Sequence, residues 1–422
     1  MKVLVIGSGG REHALVKSFF ESASVKKVFV CPGNAGMTQQ ATILNHISAT
    51  DHFALLQFCQ TEKIDFVFIG PEEPLVNGLS DILRSAGIPV VGPSQKAAQL
   101  EGSKIFAKQF MQQSHVATAD AIVVDSVQGT LTAAQQHSKP YILKADGLAG
   151  GKGVFICDSI EELQSAAEDL FVHQKLGSAG KRALLEKNLP GTELSFLVIT
   201  NGTDFQTLPL AQDHKRLLDQ NKGPNTGGMG TVAPLQIPSS LYEKIIEKII
   251  QPSIQGLKNN NLLYRGILFV GVMVVNKEPY ALEYNVRFGD PETQVILPLL
   301  KNDTAELFYE LAQGNLQKIE LNQLNAFCIV NAAAGYPDQP QKNAPIILPK
   351  NEPSAYVLHA ATRFSSNNEL VSNGGRVLNV VALDADRNTA RQKAYALNEK
   401  IQLSGRQYRT DLGDYQFQRN DN

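Results

Sequence analysis

The chain has 422 residues, of which 43% are hydrophobic and 19% charged, a composition that excludes coiled coils, collagen and disordered chains. At about 150 residues per domain, two to four domains are expected. The 39 basic and 41 acidic residues give a net charge of -2, which argues against a broad surface for nucleic acid or for an anionic membrane.

The cysteines and the apolar stretches indicate a cytoplasmic protein. No two cysteines form a C-x-x-C pair, so their spacing predicts neither a disulfide framework nor a zinc site. The apolar run before Gly7 has only four residues, Val3 to Ile6, which is too short for the core of a signal peptide. The longest apolar stretch, Gly266–Val275, is well short of a membrane span.

Strands and helices alternate over the first hundred residues. Short β-branched or aromatic runs predict strands at 2–6, 27–31, 65–69 and 88–91, and helical stretches include 51–63 and 75–86. This alternation predicts a doubly wound parallel sheet, an α/β fold in which ligands bind beyond the carboxyl ends of the strands. Each strand is followed by a turn rich in glycine or proline, so we expect a binding site at that edge.

The middle of the chain predicts an α+β region. Strands at 141–144 and 154–157 are joined by a glycine-rich loop, and a helix follows Asp158. Further strands are predicted at 183–186, 194–200, 267–275 and 279–284. A helix carrying Ile245, Ile246, Ile249 and Ile250 lies between them.

A third, smaller α+β unit begins near residue 326. It has strands near 326–331 and 376–382 and a proline-rich surface connection at 336–353. Its helix carries a helical stripe of apolar residues, Ala390, Ala394, Leu397 and Ile401.

The opening turn, residues 7–11, predicts phosphate binding more than dinucleotide binding. Glu12 stands where the third glycine of G-x-G-x-x-G belongs, and no acidic residue ends the second strand to hold a ribose. Backbone amides at a helix N-terminus can still bind a phosphate, and Arg11 adds a guanidinium suited to it. The alternative is a tight turn that needs glycine only for its backbone.

The loop between Lys144 and Val154 is a stronger signal. Its four glycines allow a backbone to approach phosphates closely, and its two lysines supply charge. It is not a Walker A loop, because Gly153 replaces the Ser/Thr and a strand follows. A hairpin that folds over a nucleotide is favoured over a flexible hairpin tip.

Two further segments carry polar groups. The strand ending at Glu186 could read adenine through its backbone and Glu193 could accept from ribose hydroxyls, although spacing alone favours a solvated carboxylate. Residues 212–216, with 223–230, combine charge, amide, hydroxyl and glycine, which favours an anion site over a simple turn. A structural role is favoured for His214.

Residues 283–292 predict a metal and anion site. Residues two apart on a strand share a face, so Glu283 and Asn285 present a carboxylate and an amide oxygen together. These are hard ligands suited to Mg²⁺ beside phosphates. Arg287 continues the face and could hold a carboxylate with both arms. The alternative is a solvated polar face.

These motifs resemble those of the ATP-grasp ligases, and within them the phosphoribosylamine–glycine ligase (glycinamide ribonucleotide synthetase) family. The similarity runs essentially end to end, and GPNTGGMG together with RFGDPE is its most specific part. Other matching segments are VLVIGSGGREHAL, PGNAG, GPEEPLV, EGSK, LKADGLAGGKGV, QDHKR, EYNVRFGDPETQ, NGGRVL and YRTDLG.

The resemblance implies an ATP-dependent ligase that joins glycine to 5-phosphoribosylamine through a glycyl phosphate in de novo purine biosynthesis. It implies a substrate-binding domain at 1–102, an ATP-grasp domain at 103–325 with a mobile lid at about 120–192, and a C-terminal domain at 326–422. The partners are these small molecules and ATP with Mg²⁺ or Mn²⁺, and neither nucleic acid nor membrane. We expect a monomer.

The resemblance also implies the site residues. ATP is expected on Lys104, Lys144, Gly150, Gly151, Lys152, Gly153, Glu186, Asn188 and Glu193. The metal is expected on Glu283 and Asn285. Catalysis is expected to use Arg287, Asp213, Asn225 and Gly228. Substrate is expected on Gly9, Gly10, Arg11, Gly33, Asn34, Glu72, Thr226, Gly227 and Met229.

The chain departs from the family pattern in places. Ser8 and Gly150 are small substitutions, and Lys187 stands where a second acid is frequent. The superfamily often supplies a metal carboxylate from the strand before Glu283, but residues 266–275 contain no acid, which leaves the metal shell incomplete. The alternatives are a sibling ATP-grasp ligase, an NAD-dependent oxidoreductase, and a nucleotide-binding protein without catalysis.

Overall fold

The N-terminal unit is the predicted parallel sheet, in a computed structural model that describes residues 1–150 and 153–414. Its strand order is β3-β2-β1-β4-β5, with every pair parallel. The strands are β1 (Lys2–Gly7), β2 (Lys27–Pro32), β3 (Thr42–Ile43), β4 (Phe66–Ile69) and β5 (Val90–Val91). The helices are α1 (Gly10–Glu21), α2 (His52–Glu62), α3 (Glu72–Val76), α4 (Leu79–Ser85) and α5 (Gln95–Gly102).

The helix predicted over 75–86 is two helices in the structure. Gly78 separates α3 from α4 with φ of +86°, a left-handed conformation that glycine adopts without steric cost. The helix predicted at 51–63 is confirmed as α2, and the Asp51 carboxylate caps it by accepting from the Ala54 amide at 3.0 Å.

A four-stranded antiparallel sheet, ordered β6-β9-β7-β8, forms the region predicted as the lid. The helix α6 (Lys104–Gln113) leads into it. Its elements are β6 (Ala121–Val124), α7 (Val127–Ala134), β7 (Tyr141–Ala145), β8 (Val154–Cys157), α8 (Ile160–Phe171) and β9 (Ala183–Glu186). The hairpin of β7 and β8 confirms the predicted strand, glycine loop and strand.

A second antiparallel sheet, ordered β11-β10-β16-β17, forms the floor of the central unit. Its strands are β10 (Thr192–Thr200), β11 (Phe205–Thr207), β16 (Gly266–Val275) and β17 (Glu278–Asn285). Between them lie β12 (Gln212–Asp213), β13 (Arg216–Leu218), β14 (Lys222–Asn225), β15 (Gly230–Ala233), α9 (Ser239–Ile245) and α10 (Gln251–Asn259). The helices α11 (Glu292–Ile296) and α12 (Thr304–Gln313) follow.

The C-terminal sheet takes strands from both sides of residue 326. Its order is β12-β15-β18-β23-β20, so β15, which precedes the predicted domain boundary at 325/326, pairs with β18 of the C-terminal unit. The domain boundaries at 102/103 and 325/326 stay predictions. The remaining elements are β18 (Asn325–Ala332), β19 (Ile346–Ile347), β20 (Ala355–His359), β21 (Thr362–Phe364), β22 (Leu370–Ser372), β23 (Arg376–Asp384), α13 (Arg387–Glu399) and β24 (Gln402–Leu403).

The fold class is confirmed: a parallel sheet, a central mixed region and a small C-terminal α+β unit. The units share buried cores, because Leu4 and Ile6 of β1 belong to the same cluster as Val270 and Val272 of β16. Within residues 1–150 and 153–414, the helices are all too short or too polar to cross a membrane.

Two buried histidines join α1 to the C-terminal sheet. The His13 Nδ1 accepts from the His359 amide at 2.8 Å, and the two rings lie 5.6 Å apart. Burial, with the neighbouring His359, lowers the pKa of His13 from 6.5 to about 3. Burial lowers the pKa of His359 to about 4. Both rings are therefore neutral in the folded protein near pH 7.

Acid should destabilise the protein through these rings. In the unfolded chain these histidines become protonated below pH 6.5, whereas in the folded protein they stay neutral until about pH 3 to 4. The free energy of unfolding therefore falls as the pH falls through that range. From pH 7 to pH 5 each ring costs about 2 kcal/mol, at about 1.4 kcal/mol per pH unit. In the His13→Asn variant, the fall in the free energy of unfolding from pH 7 to pH 5, measured by urea unfolding, should be smaller by about 2 kcal/mol. An unchanged pH dependence would contradict the assignment.

Candidate active site

The predicted substrate turns converge at the carboxyl ends of the parallel strands. The Asn34 Nδ2 donates to the Ser8 carbonyl at 2.8 Å and to the His359 carbonyl at 3.1 Å. Gly33 has φ of +70°, and its amide donates to the Gly7 carbonyl at 3.1 Å. These contacts bring Gly33 and Asn34 beside the opening turn, as the fold class predicts.

The opening turn already has protein partners for its polar groups. The Gly9 amide donates to Glu12 Oε2 at 2.7 Å and the Arg11 amide to Asp290 Oδ2 at 3.3 Å. Arg11 is buried and donates to Glu12 Oε1 at 2.6 Å and to the Phe288 carbonyl at 2.9 Å. The carboxylates of Glu12 and Asp290 thus occupy the N-terminus of α1, where a helix favours negative charge.

This arrangement does not present Gly9, Gly10 and Arg11 as an open phosphate site. A Cβ added to Gly10 would lie 2.3 Å from Asn379 Nδ2 and 2.7 Å from Gln294 Nε2, so that glycine is needed for close packing. Substrate binding by these three residues stays a prediction, and it requires the contacts of Arg11 to change.

Glu186 lies in a buried ion triad. Its Oε1 lies 3.0 Å from Lys108 Nζ and its Oε2 lies 2.6 Å from Lys144 Nζ. Burial alone would raise the pKa of Glu186, but the two ammonium groups hold it below its ordinary value. The carboxylate therefore holds Lys144 in place, and the backbone of Glu186 pairs with β6 and β7, so the contact of Glu186 with adenine stays a prediction.

The glycine loop lies beside α6. The Lys104 amide donates to the Asp146 carbonyl at 3.0 Å, and the Asp146 carboxylate accepts from Ser103 Oγ at 2.7 Å. Gly150 has φ of +55°, and a Cβ added to it would meet no atom of the described residues within 4 Å, whereas Gly153 packs against Ala149 and Ala145. Gly151 and Lys152 lie outside the described residues. Asn188 is half-buried just beyond Glu186.

Arg287 contacts polar side chains from three segments of the chain, which together line the candidate site, called the cleft below. Its Nη2 donates to Glu101 Oε1 at 2.6 Å and to Asn285 Oδ1 at 3.0 Å, and its Nε lies 3.3 Å from Glu72 Oε2. Glu101 also accepts from the Val286 amide at 2.8 Å. Burial raises the pKa of Glu101, whereas Arg287 and Arg11 hold that of Glu72 below its ordinary value despite its burial.

The predicted metal ligands lie next to Arg287. Glu283 is exposed to the cleft, and Asn285 is half-buried. Gly271 pairs with Glu283, and a Cβ on it would lie 3.5 Å from Glu283 Cγ and 3.9 Å from Glu193 Oε1. β16, the strand without an acidic residue, therefore lies between Glu193 of β10 and Glu283 of β17.

This donor set fits Mg²⁺ that also binds ATP phosphates, because Mg²⁺ usually takes one or two protein carboxylates and leaves the other positions to phosphate and water. Among residues 1–150 and 153–414, no three His, Cys, Asp or Glu side chains form a group that could hold a metal by themselves. Burial raises the pKa of Glu193, and Glu283, Asp213 and Glu292 add to the shift.

Asp213 lies buried against the glycine-rich 225–230 loop. Its Oδ2 lies 2.7 Å from Lys215 Nζ, and its Oδ1 has no hydrogen-bond partner among the residues that the structure describes. A Cβ on Gly228 would lie 2.7 Å from Asp213 Oδ1 and 2.5 Å from Pro291, so glycine is required there. Two of the predicted catalytic residues, Asp213 and Gly228, are thus in contact.

Glu292 is a second buried carboxylate that interacts with Asp213. It is buried, and its Oε1 accepts from Ser195 Oγ at 2.8 Å. Burial raises the pKa of Glu292, and Asp213 raises it further. Burial alone would lower the pKa of Lys215, but Asp213, Glu292 and Glu193 hold it well above its ordinary value.

The 225–230 loop is held by backbone contacts. The Thr226 amide and hydroxyl both donate to the Lys215 carbonyl at 2.8 Å, and the Gly228 amide donates to Thr226 Oγ1 at 3.0 Å. The Gly227 amide donates to the Tyr336 hydroxyl at 3.1 Å, while Asn225 is exposed. Thr226 and Gly227 thus shape the loop beside the cleft.

Met229 is buried within the 225–230 loop, and its role in substrate binding stays a prediction. Its side chain is fully buried against Leu217 and Ala332. Its amide donates to the His214 carbonyl at 2.9 Å and its carbonyl accepts from the Val330 amide at 3.1 Å. The backbone and the side chain are both engaged, so Met229 fixes the loop to the C-terminal sheet.

Arg376 was missed by the sequence reasoning. Its Nη1 donates to the Gly227 carbonyl at 2.6 Å and to the Asp290 carbonyl at 2.7 Å. It therefore joins the loops of GPNTGGMG and RFGDPE from the C-terminal unit. The sequence feature that could have identified Arg376 is its position in NGGRVL, one of the segments that match the family. Glu101, in EGSK, carried a similar signal, whereas Glu292 stood within RFGDPE itself.

Models of one family match the chain in three consecutive parts. The N domain of phosphoribosylglycinamide synthetase matches residues 1–101, the ATP-grasp (A) domain residues 102–293, and the C domain residues 326–415.

Individual proteins show the same similarity. The phosphoribosylamine--glycine ligase of Neisseria meningitidis serogroup B is 41% identical over 419 residues, which is 98% of this chain and 99% of that protein. The crystal structure of the same ligase from Thermotoga maritima superposes with a TM-score of 0.86 at 36% identity, covering 97% of this chain and 100% of that chain. A biotin carboxylase domain from Hydrogenobacter thermophilus has a TM-score of 0.74 at 17% identity, covering 96% and 91%, which shows the fold alone.

Proposed function

The chain belongs to the phosphoribosylglycinamide synthetase family, and on that premise we infer that its cleft joins glycine to 5-phosphoribosylamine with ATP. The products are glycinamide ribonucleotide, ADP and phosphate, and the reaction belongs to purine biosynthesis. The enzyme is a carbon–nitrogen ligase.

The chemistry requires activation of glycine, because a carboxylate is a poor acyl donor. One glycine carboxylate oxygen attacks the γ-phosphorus of ATP, and ADP leaves. The amine of phosphoribosylamine then attacks the carbonyl carbon of glycyl phosphate and loses a proton, and phosphate leaves with the glycine oxygen. Such steps depend on positioning and charge stabilisation more than on a protein nucleophile.

The observation that carries this proposal is the position of Arg287. It contacts Asn285 on the side of the predicted ATP site and Glu72 on the side of the predicted phosphoribosylamine site. A guanidinium there can hold the glycine carboxylate with two hydrogen bonds and then oppose the charge of the acyl phosphate. To do so it must give up part of its contact with Glu72 or Asn285.

ATP would lie between the sheet of β6, β9, β7 and β8, which is the predicted lid, and the sheet of β11, β10, β16 and β17. Lys104 and Lys144 would contact its phosphates under the 147–153 loop, and Glu193 would accept from the ribose. The backbone through residues 186–188 would hold adenine. The ammonium of Lys144 supports this role, since Glu186 outweighs the effect of burial and keeps its pKa above the ordinary value.

Glu283 and Asn285 would hold Mg²⁺ or Mn²⁺ against the phosphates, where a divalent ion neutralises charge during phosphoryl transfer. Titration of each metal into the enzyme with ATP tests this choice. We also expect a cytoplasmic monomer, and the mass of the protein in solution, measured by light scattering, tests the oligomeric state.

The function is tested by ADP release with each substrate omitted in turn. Full activity is expected only with glycine, phosphoribosylamine, ATP and Mg²⁺ together. If phosphoribosylamine can be left out without loss, or if another amino acid works equally well, a sibling ATP-grasp ligase becomes the better assignment. NAD binding without ATP binding would favour an oxidoreductase, and ATP binding without turnover would favour a protein that only binds nucleotides.

A further inference from the structure

The end of the described chain forms a buried contact with the central unit. Arg409 is fully buried, and its guanidinium binds both oxygens of Asp411, with Nε to Oδ1 and Nη2 to Oδ2 each at 2.7 Å. Its third nitrogen, Nη1, donates to Asn221 Oδ1 at 2.8 Å and to the Arg216 carbonyl at 3.3 Å. We call residues 408–413 the C-terminal clasp.

The clasp holds a turn that has an unfavourable backbone. The turn Asp219–Asn221 connects β13 to β14, and Gln220 and Asn221 have φ of +59° and +55°. Consecutive left-handed residues other than glycine persist only when their surroundings fix them. The Gln220 amide donates to Asp411 Oδ2 at 2.8 Å, and Asn221 accepts from Arg409. Both strained residues therefore depend on the clasp.

Further contacts fix the same hairpin. The Thr410 amide donates to Asp219 Oδ1 at 2.9 Å, and the Thr410 hydroxyl donates to Asp219 Oδ2. On the other side, Tyr395 of α13 donates to the Arg409 carbonyl at 3.1 Å and accepts from the Leu412 amide at 3.2 Å. The clasp thus connects the hairpin of β13 and β14 to the C-terminal helix.

The clasp also contacts His214 and Gly230, which adjoin Asp213 and the end of the 225–230 loop. The Gly413 amide lies 3.5 Å from His214 Nε2, and His214 Nδ1 lies 3.1 Å from the Gly230 carbonyl. Leu412 packs on Gly230, where a Cβ would lie 2.4 Å from Leu412 Cδ1. His214 is the neighbour of both Asp213 and Lys215 in the chain. Residues 408–413 therefore contact the turn that precedes the 225–230 loop and also Gly230 at the end of that loop.

We propose that Arg409 is a positioning residue for acyl transfer: through the C-terminal clasp it holds the 225–230 loop and Asp213 at the reacting centre. This inference rests on the proposed function, because it assigns the loop to glycine and phosphoribosylamine. Among the described residues, no contact joins the clasp to Lys104, Lys144 or Glu186, so ATP binding should not depend on it.

The test is the substitution Arg409→Lys, which keeps the charge and loses the two-armed contact with Asp411. We expect kcat/KM for glycine to fall at least tenfold, with the ATP Kd within twofold of wild type, at a temperature well below the Tm of the variant. The matched control is Arg265→Lys, because Arg265 is half-buried and donates to the Ala312 carbonyl at 2.8 Å, away from residues 408–413. The control should retain wild-type kinetics.

A second variant keeps the test available if Arg409→Lys does not fold. Thr410 is exposed, and Thr410→Val removes its hydroxyl contact with Asp219 with little change in volume. We expect about a threefold fall in kcat/KM for glycine and an unchanged ATP Kd. Wild-type kinetics in both folded variants, or an equal loss for ATP and glycine, would overturn the positioning role. An inactive wild-type enzyme would instead refute the proposed function.

Discussion

Replacing Arg287→Ala should reduce kcat/KM for glycine by about a hundredfold to a thousandfold, with less than a threefold change in the ATP Kd. A two-armed contact to a carboxylate in a buried site is worth about 3 to 4 kcal/mol, which corresponds to that factor at about 1.4 kcal/mol per tenfold. Steady-state kinetics with glycine varied, and calorimetric titration of ATP, give the two values.

Loss of Arg287 also affects stability, because it leaves Glu101 buried without its cation. The variant Arg287→Lys keeps the charge and should retain the fold while still losing most of the activity with glycine. A suitable control is Arg265→Ala, which removes another half-buried arginine, bonded to the Ala312 carbonyl outside the cleft. A larger effect on ATP than on glycine would refute the role of Arg287.

Replacing Asp213→Asn should lower kcat by about a hundredfold or more, a size typical of lost charge or proton-transfer groups. The substitution keeps the shape beside Gly228 and removes the carboxylate that pairs with Lys215. Among the described residues, Asp213 Oδ1 has no hydrogen-bond partner, so it is a buried acceptor suited to the amine of a substrate, and the substitution replaces this carboxylate with a neutral amide.

The rate of acyl transfer in a single turnover measures this effect directly. Asp204→Asn, an exposed carboxylate outside the cleft, is the control and should behave as wild type. We expect the Asp213→Asn enzyme to bind ATP normally. Normal kcat in this variant would place Asp213 outside the reacting centre.

The sequence was sufficient for those features that local patterns encode. Alternation of strands and helices predicts the parallel sheet, and the two-residue spacing of Glu283, Asn285 and Arg287 predicts a shared face. The hydrogen bond of 3.0 Å between Arg287 and Asn285 agrees with that spacing. The Gly78 break and the exact strand ends depend on single residues, so they were less predictable.

Contacts between distant segments could not be predicted from such patterns. Glu101 and Arg287 are 186 positions apart, and the pairing of β15 with β18 crosses the predicted domain boundary. The resemblance assigned Glu186 and Met229 to ligands, because a motif identifies residues without showing their partners. The contacts of Glu186 with Lys144 and of Met229 with Leu217 are visible only in the structure, and the ligand roles of both residues stay predictions.

The most direct test of the account follows the oxygen atoms of glycine. Glycine labelled with ¹⁸O in both carboxylate oxygens is supplied with ATP and phosphoribosylamine, and the released phosphate is analysed by mass spectrometry. Activation through glycyl phosphate predicts one ¹⁸O in each phosphate and one in each glycinamide ribonucleotide. Phosphate without ¹⁸O would contradict the proposed activation of glycine and the role given to Arg287.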